Sequence, residues 1–197
     1  MSASRYKLQR GLTLVELIMF IVIVSVGVAG ILGVFSNLVR TSSDPLIRKQ
    51  ALSIAESLLS EIEQRPFTYC DPNDSLASSA TSTAGCTGGA VASQDQNGGT
   101  LGPINSPAAT VESRYSATAP FDNVADYAGL SMTSGILDIT GSAYAELSPY
   151  QASVTITRAG TAFSLPNDAV LRISVSVTRA TEDVTLVGYR FRYAPNI

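Results

Sequence analysis

Few side chains in this sequence are suited to catalysis, and their types already exclude several classes of protein. The 197 residues include no histidine and no tryptophan. Histidine is the commonest general base and transition-metal ligand, and a conventional serine triad requires it. The formal net charge is −3, whereas a non-specific nucleic-acid binder needs a basic surface that releases phosphate counterions. The composition therefore predicts no enzyme, no cofactor and no nucleic-acid partner.

The two cysteines, Cys70 and Cys86, lie in a polar stretch well beyond the most apolar part of the chain. In an oxidising compartment, such a pair usually forms a disulfide. In the chain-entropy model, a bridge that closes a loop of this size contributes about 3 kcal/mol. We therefore predict a Cys70–Cys86 disulfide, with two free thiols as the alternative.

Two groups of oxygen-bearing side chains could be considered as calcium ligands, since calcium prefers oxygen donors. The members of the two groups are Asp71, Asn73 and Asp74, and Asp122, Asn123 and Asp126. Neither group has the spacing of an EF-hand loop, and aspartates in polar loops usually form turns. The sequence therefore predicts no metal site.

A carboxylate, Glu16, lies at the edge of the most apolar stretch of the chain. Residues 13–16 fit a capping box, in which Thr13 and Glu16 satisfy free backbone N–H groups at the start of a helix. A carboxylate so close to a membrane-spanning segment is nevertheless costly unless it is paired. Helix capping and pairing with a partner both remain open for Glu16.

Residues 17–34 contain no charged side chain. As a helix they would be about 27 Å long at about 1.5 Å per residue, which is close to the thickness of a bilayer core. Arg5, Lys7 and Arg10 precede this stretch, so the N-terminus is predicted to stay in the cytoplasm.

Two ordinary interpretations of this N-terminus compete. A cleaved secretory signal peptide would use the small residues 27–29 as its cleavage site. Its apolar segment is usually shorter, however, and does not include a carboxylate such as Glu16. A plain membrane anchor explains the length of the apolar stretch and leaves Glu16 unexplained.

Residues 10–16, Arg-Gly-Leu-Thr-Leu-Val-Glu, resemble the prepilin signature of type IV pilins and pseudopilins. The resemblance implies that a prepilin peptidase cuts between Gly11 and Leu12, and that the new amine of Leu12 is then N-methylated. It also implies that Glu16 pairs with the Leu12 amine of a neighbouring subunit during assembly. The family usually has phenylalanine directly after the cut, where this chain has Leu12.

The resemblance further implies partners and a location. The expected partners are other pilin subunits, the prepilin peptidase, an inner-membrane assembly platform and inner-membrane lipid. The chain is expected in the inner membrane before assembly, with a cytoplasmic N-terminus and a periplasmic C-terminal domain. After assembly it is expected in a cell-surface pilus.

The elements after the apolar stretch are predicted from local patterns. Asp44 and Pro45 form a helix-start signal. Apolar residues then recur at helical spacing, indicating an amphipathic helix packed on a sheet; they are Ile47, Ala51, Ile54, Ala55, Leu58 and Ile62. Apolar and polar residues alternate over residues 150–157, 170–178 and 184–193, which predicts three antiparallel strands joined by short connections.

Together these patterns predict an α+β, pilin-like fold. A long N-terminal helix, membrane-spanning in its first half, would pack on a C-terminal antiparallel sheet. The predicted segments are a leader peptide at 1–11, a transmembrane or filament-core helix at 12–35 and an amphipathic periplasmic helix at 36–66. A disulfide-stapled αβ-loop at 67–112 and a β-rich globular head at 113–197 follow.

Residues 121–130, together with 44–51 and 55–59, resemble the MshD-type minor pilins of mannose-sensitive haemagglutinin (MSHA) pili. This narrower resemblance implies a minor pilin that helps to initiate or decorate such a pilus and so supports surface attachment. Two alternatives are a minor pseudopilin of a type II secretion system and a pilus-associated adhesin.

Overall fold

A computed structural model of the protein describes residues 13–41, 44–89, 101–103 and 112–192. The chain divides into two compact units, Met1–Pro45 and Leu46–Ile197. The predicted leader at 1–11, which ends in Gly11, and Leu12 after the predicted cut lie outside the described residues.

The first unit contains helix α1 (Leu14–Thr41). Within it, Leu14–Ser36 has a mean hydropathy of 2.8 and is the single stretch in the described ranges that is long and apolar enough to cross a membrane. The helix continues to Thr41, into the segment predicted to be the second helix; residues 36–41 contain neither glycine nor proline to end it.

Helix α2 (Asp44–Glu63) begins at the predicted start signal. Four residues of its apolar stripe are fully or almost fully buried; they are Ala51, Ala55, Leu58 and Ile62. Ile47 and Ile54 pack at the edge of the same core. The helical spacing therefore predicted the buried face correctly.

The sheet has four antiparallel strands in the order β1-β2-β3-β4. Strands β2 (Gln151–Arg158), β3 (Val170–Arg179) and β4 (Glu182–Phe191) correspond to the three predicted strands. Strand β1 (Ser131–Met132) was not predicted, because two residues are too few to show an alternating pattern.

The alternation along the strands directs one set of side chains into a core shared with α2. Val154 of β2, Val175 of β3 and Val184 of β4 belong to this core with Ala55 of the helix. On β4, a Cβ atom at Gly188 would collide with Glu63 and Leu59 of α2; the helix therefore approaches the strand closely at this point. The predicted α+β class is confirmed.

The β3–β4 hairpin ends in a tight turn. Arg179 pairs with Glu182, so only Ala180 and Thr181 connect the strands, and the connection is shorter than the sequence pattern suggested. Ala180 has a φ of +53°, in the left-handed region that costs an L-residue with a Cβ about 1–2 kcal/mol.

We predict that Ala180→Gly stabilises the second unit. Glycine removes the steric cost at positive φ, and the greater freedom of the unfolded chain offsets part of the gain, so the net effect should be about 0.5–1 kcal/mol. Thermal unfolding of the detergent-solubilised protein, followed by circular dichroism, measures it. The matched control is Ala159→Gly, since Ala159 has a φ of −137° and should gain nothing. A lower melting temperature for Ala180→Gly would contradict the prediction.

Candidate functional site

The start of α1 carries the first part of the candidate site. The Glu16 N–H donates a hydrogen bond of 3.3 Å to Thr13 Oγ1, which is the bond that a threonine N-cap makes. Glu16 is an exposed acidic residue in the first helical turn, where a negative charge also interacts favourably with the helix dipole.

The surface of α1 is apolar all around its circumference. From Leu14 to Phe35 its large apolar side chains are exposed, for example Phe20 at 64% and Ile23 at 67%. A helix that is apolar on every face needs a surrounding of lipid or of other apolar helices. Together with its length, this surface makes α1 suitable for membrane anchoring and for packing against like helices.

A disulfide joins Cys70 and Cys86, with Cα atoms 5.3 Å apart, as the sequence predicted. The two cysteines are buried with Ala80 in a small cluster of their own. The bridge closes a loop that has little other apolar core, so the covalent bond is a main constraint on its shape.

Hydrogen bonds of Asp74 connect the two ends of the same loop, next to the disulfide. Its carboxylate accepts bonds from the Leu76 N–H (2.8 Å) and the Thr87 N–H (2.9 Å), and from the Thr87 hydroxyl. Burial raises the pKa of Asp74, but these hydrogen bonds outweigh it and hold the pKa below its usual value. Asp74 is thus a turn former, as polar-loop aspartates usually are.

A buried ion pair joins α2 to the chain that follows the loop. Arg114 donates from Nε to Glu61 Oε1 (2.9 Å) and from Nη2 to Glu61 Oε2 (2.7 Å). Its Nη1 donates to the carbonyls of Leu137 (3.1 Å) and Asp138 (3.0 Å). The Arg114 side chain is only 5% exposed, and this two-pronged pairing with backbone support satisfies the buried guanidinium.

Tyr127 extends this network. Its hydroxyl donates to Glu61 Oε1 (2.9 Å) and accepts from Arg65 Nε (3.3 Å). Burial raises the pKa of Glu61, but the hydrogen bonds and charge of Arg114, with help from Tyr127 and Arg65, outweigh it and lower the pKa. Glu61 is therefore held in its charged form.

Three carboxylates from separate parts of the chain lie close together in the second unit. One oxygen each of Asp71, Glu112 and Asp122 lies within 4.8 Å of the others. Asp71 and Glu112 are buried and Asp122 is half-buried. We call these three residues the carboxylate cluster. The sequence analysis had placed Asp71 and Asp122 in two separate groups and had not identified Glu112, because no local pattern marks it.

In the carboxylate cluster the pKa values of Glu112 and Asp122 are raised, whereas the pKa of Glu61 is lowered. Burial, followed by the charges of Asp126, Asp71 and Asp122, raises the pKa of Glu112 to about 9. Burial and the charge of Asp71 raise the pKa of Asp122 to about 6. Burial also raises the pKa of Asp126 to about 7, although its carboxylate accepts hydrogen bonds from the N–H groups of Asp122 and Asn123. The cluster thus concentrates like charges, and the charge of Arg65, which acts to lower the pKa of Asp122, offsets them only in part.

Comparison with known proteins identifies the N-terminal feature. Residues 6–32 match the family described as the prokaryotic N-terminal methylation motif. The match covers Gly11, Leu12, Thr13 and Glu16 and much of α1, and it supports a type IV pilin-type protein with a membrane-anchoring N-terminal helix. No curated protein and no solved structure gives a significant match to the chain.

We predict that Glu61→Gln destabilises the protein by about 3–5 kcal/mol near neutral pH, because it leaves the buried Arg114 guanidinium without its counter-ion. The folded pKa of Glu61 lies below its ordinary value of 4.5. The contribution of the ion pair is therefore fully present above about pH 4.5 and is lost as pH falls through the lower, folded pKa. The stability gap between the wild type and Glu61→Gln should accordingly close in acid.

Thermal unfolding of the full chain in detergent, at intervals from about pH 7 to about pH 3, measures this gap. Glu56→Gln is the matched control, since Glu56 is an exposed glutamate on the same helix and its substitution should have little effect at any pH. A gap that stays constant across the range would show that the charge of Glu61 is not what stabilises the network.

Proposed function

We propose that the chain is a minor pilin, a structural subunit that helps to initiate or decorate an MSHA-like type IV pilus. The match of residues 6–32 to the N-terminal methylation motif carries this proposal. The exposed apolar surface of α1 and the α+β unit after it are the two parts that such a subunit needs.

The proposed processing begins with the prepilin peptidase, which cuts between Gly11 and Leu12 on the cytoplasmic side. The new N-terminal amine of Leu12 is then methylated and, as an ammonium, carries a positive charge. It precedes the N-cap residue Thr13 directly. Before assembly, inner-membrane lipid surrounds α1, and the assembly platform and other pilin subunits then take its place.

The proposed role of Glu16 follows from this change of surroundings. When apolar helices bundle together, a carboxylate on the first turn of α1 loses contact with water. The Leu12 ammonium of a neighbouring subunit provides the opposite charge. Leaving one partner of a buried ion pair unmatched costs about 3–5 kcal/mol. The pairing would therefore select subunits that enter the filament in the correct register.

The choice of an MSHA-like pilus rests on the resemblance of residues 44–51, 55–59 and 121–130 to MshD-type minor pilins. The first two stretches lie in α2. The third includes the buried 3₁₀ helix Val124–Tyr127, whose Tyr127 hydroxyl binds Glu61. A minor pseudopilin of a type II secretion system would share the N-terminal motif, so it remains the second candidate.

We predict that Glu16→Gln reduces incorporation into the filament about tenfold or more, while cleavage after Gly11 continues. Glutamine at the third helical position still serves in a capping box, so this variant keeps the cap and removes only the charge. Sheared surface filaments are assayed by immunoblot, and the mass of the membrane-bound subunit reports cleavage. Glu16→Ala should have the same effect as Glu16→Gln.

Thr13→Ala is the complementary control because it removes the capping hydroxyl and keeps the Glu16 charge. We expect it to lower helix stability by about 0.5–2 kcal/mol and to assemble better than Glu16→Gln. Normal assembly of Glu16→Gln would show that the charge of Glu16 is not needed for assembly.

Deleting the gene distinguishes the two candidate assemblies. If the chain is a minor pilin, the deletion should reduce surface pili and surface attachment and leave exoprotein secretion unchanged. Electron microscopy of the cell surface and assay of secreted proteins in the medium provide the two measurements, and a plasmid copy should restore the lost property. Loss of secretion with normal pili would instead assign the chain to a type II secretion system.

A further inference from the structure

The spacing of the carboxylate cluster would allow a single cation to contact all three of its members. Its three members offer one oxygen each within 4.8 Å of one another. Calcium binds oxygen at about 2.3–2.6 Å, so two ligands on opposite sides of one ion are about 4.6–5.2 Å apart. One calcium ion could therefore contact Asp71, Glu112 and Asp122 at once.

A second observation also indicates a ligand. Asp71 Oδ2, Glu112 Oε2 and Asp122 Oδ1 are buried, and none of them receives a hydrogen bond from a donor group within the described parts of the chain. The carboxyl groups of Asp71 and Glu112 lie within hydrogen-bond reach of each other, a contact that needs a proton or a cation between them. Asp71 is 0% exposed and Glu112 is 5% exposed. A buried carboxylate oxygen that has lost water and gained no partner is unfavourable, and a bound cation would compensate for all three.

Asn73 orients two of these carboxylates. Its backbone N–H donates to Asp71 Oδ1 (2.6 Å), and its side-chain Nδ2 donates to Asp122 Oδ2 (2.7 Å). In the carboxylates of Asp71 and Asp122, one oxygen thus accepts a hydrogen bond from Asn73 and the other accepts none from the described residues. Supporting hydrogen bonds of this kind position the ligands in protein metal sites.

We propose that Asp71, Glu112 and Asp122 bind a calcium ion. The donors are all carboxylate oxygens, which suit a hard cation, and both cysteines are already joined to each other, so no thiolate is available to a softer metal. Asp126, which acts on Glu112 electrostatically, adds further negative charge beside the site. Water molecules would complete the six to eight ligands that calcium takes.

The ion would fasten the disulfide-closed loop to the rest of the second unit. Asp71 follows Cys70 directly, whereas Glu112 and Asp122 flank the segment that contains Arg114. The disulfide and Asp74 close the loop on itself, and the ion would fix its position. This inference does not depend on the assignment to a pilus, since it concerns only residues of the second unit.

The test uses the full chain in detergent, treated with a chelator and then dialysed into metal-free buffer. Isothermal titration with calcium chloride measures binding, and circular dichroism measures thermal unfolding with and without the ion. We expect a Kd of about 10⁻⁴–10⁻³ M, the range of extracellular calcium modules, and a higher melting temperature with calcium. Magnesium should bind more weakly, because its near-ideal octahedral geometry suits dedicated all-protein sites poorly.

Glu112→Gln and Asp71→Asn should each weaken calcium binding about tenfold or more and remove the thermal shift. Without calcium, Glu112→Gln should be at least as stable as the wild type, since a neutral amide adds no charge beside Asp71 and Asp122 in this buried position; this shows that the variant folds. Glu146→Gln is the matched control, because Glu146 is an exposed glutamate outside the cluster and should leave the shift intact. No heat of binding to the wild type, or a shift that persists in Glu112→Gln, would overturn the proposal.

Discussion

The buried ion pair between Arg114 and Glu61 is the interaction on which the arrangement of the second unit depends. A guanidinium that is only 5% exposed must have its donors satisfied, and Arg114 achieves this with Glu61 of α2 and the carbonyls of Leu137 and Asp138. Arg114 therefore holds together three segments that are distant in sequence: α2, its own segment and residues 137–138.

One member of the carboxylate cluster lies next to this pair along the chain. Glu112 precedes Arg114 by two residues and so enters the interior with it. Tyr127 binds the same Glu61 carboxylate and holds the end of the segment that carries Asp122. Arg114, which lowers the pKa of Glu61, thus lies two residues from Glu112, whose pKa burial and like charges raise. At Glu61 the hydrogen bonds and charge of Arg114 outweigh the effect of burial, whereas at Asp122 the charge of Arg65 does not.

The sequence predicted those features whose signals are local. The apolar surface of α1, the buried stripe of α2 and strands β2 to β4 each follow from periodicity within a single element. The disulfide followed from the presence of just two cysteines in a polar stretch. The partner of Arg114 could not be predicted, because Glu61 lies 53 positions away and residues 112–115 have no periodic pattern. Glu112 was missed for the same reason, since only the folded chain brings it beside Asp71 and Asp122.

The structure also bears on the two roles considered for Glu16. The N-cap hydrogen bond joins the Thr13 hydroxyl to the backbone N–H of Glu16, so it does not use the Glu16 carboxylate. That carboxylate lies on an exposed first turn of α1, where an incoming ammonium could reach it. Capping and pairing are therefore compatible at the start of α1: the Thr13 hydroxyl caps the first turn, and the Glu16 side chain on that turn is available to a neighbouring subunit. For this reason, helix stability through the Thr13 hydroxyl and subunit docking through the charge of Glu16 can be tested by separate substitutions.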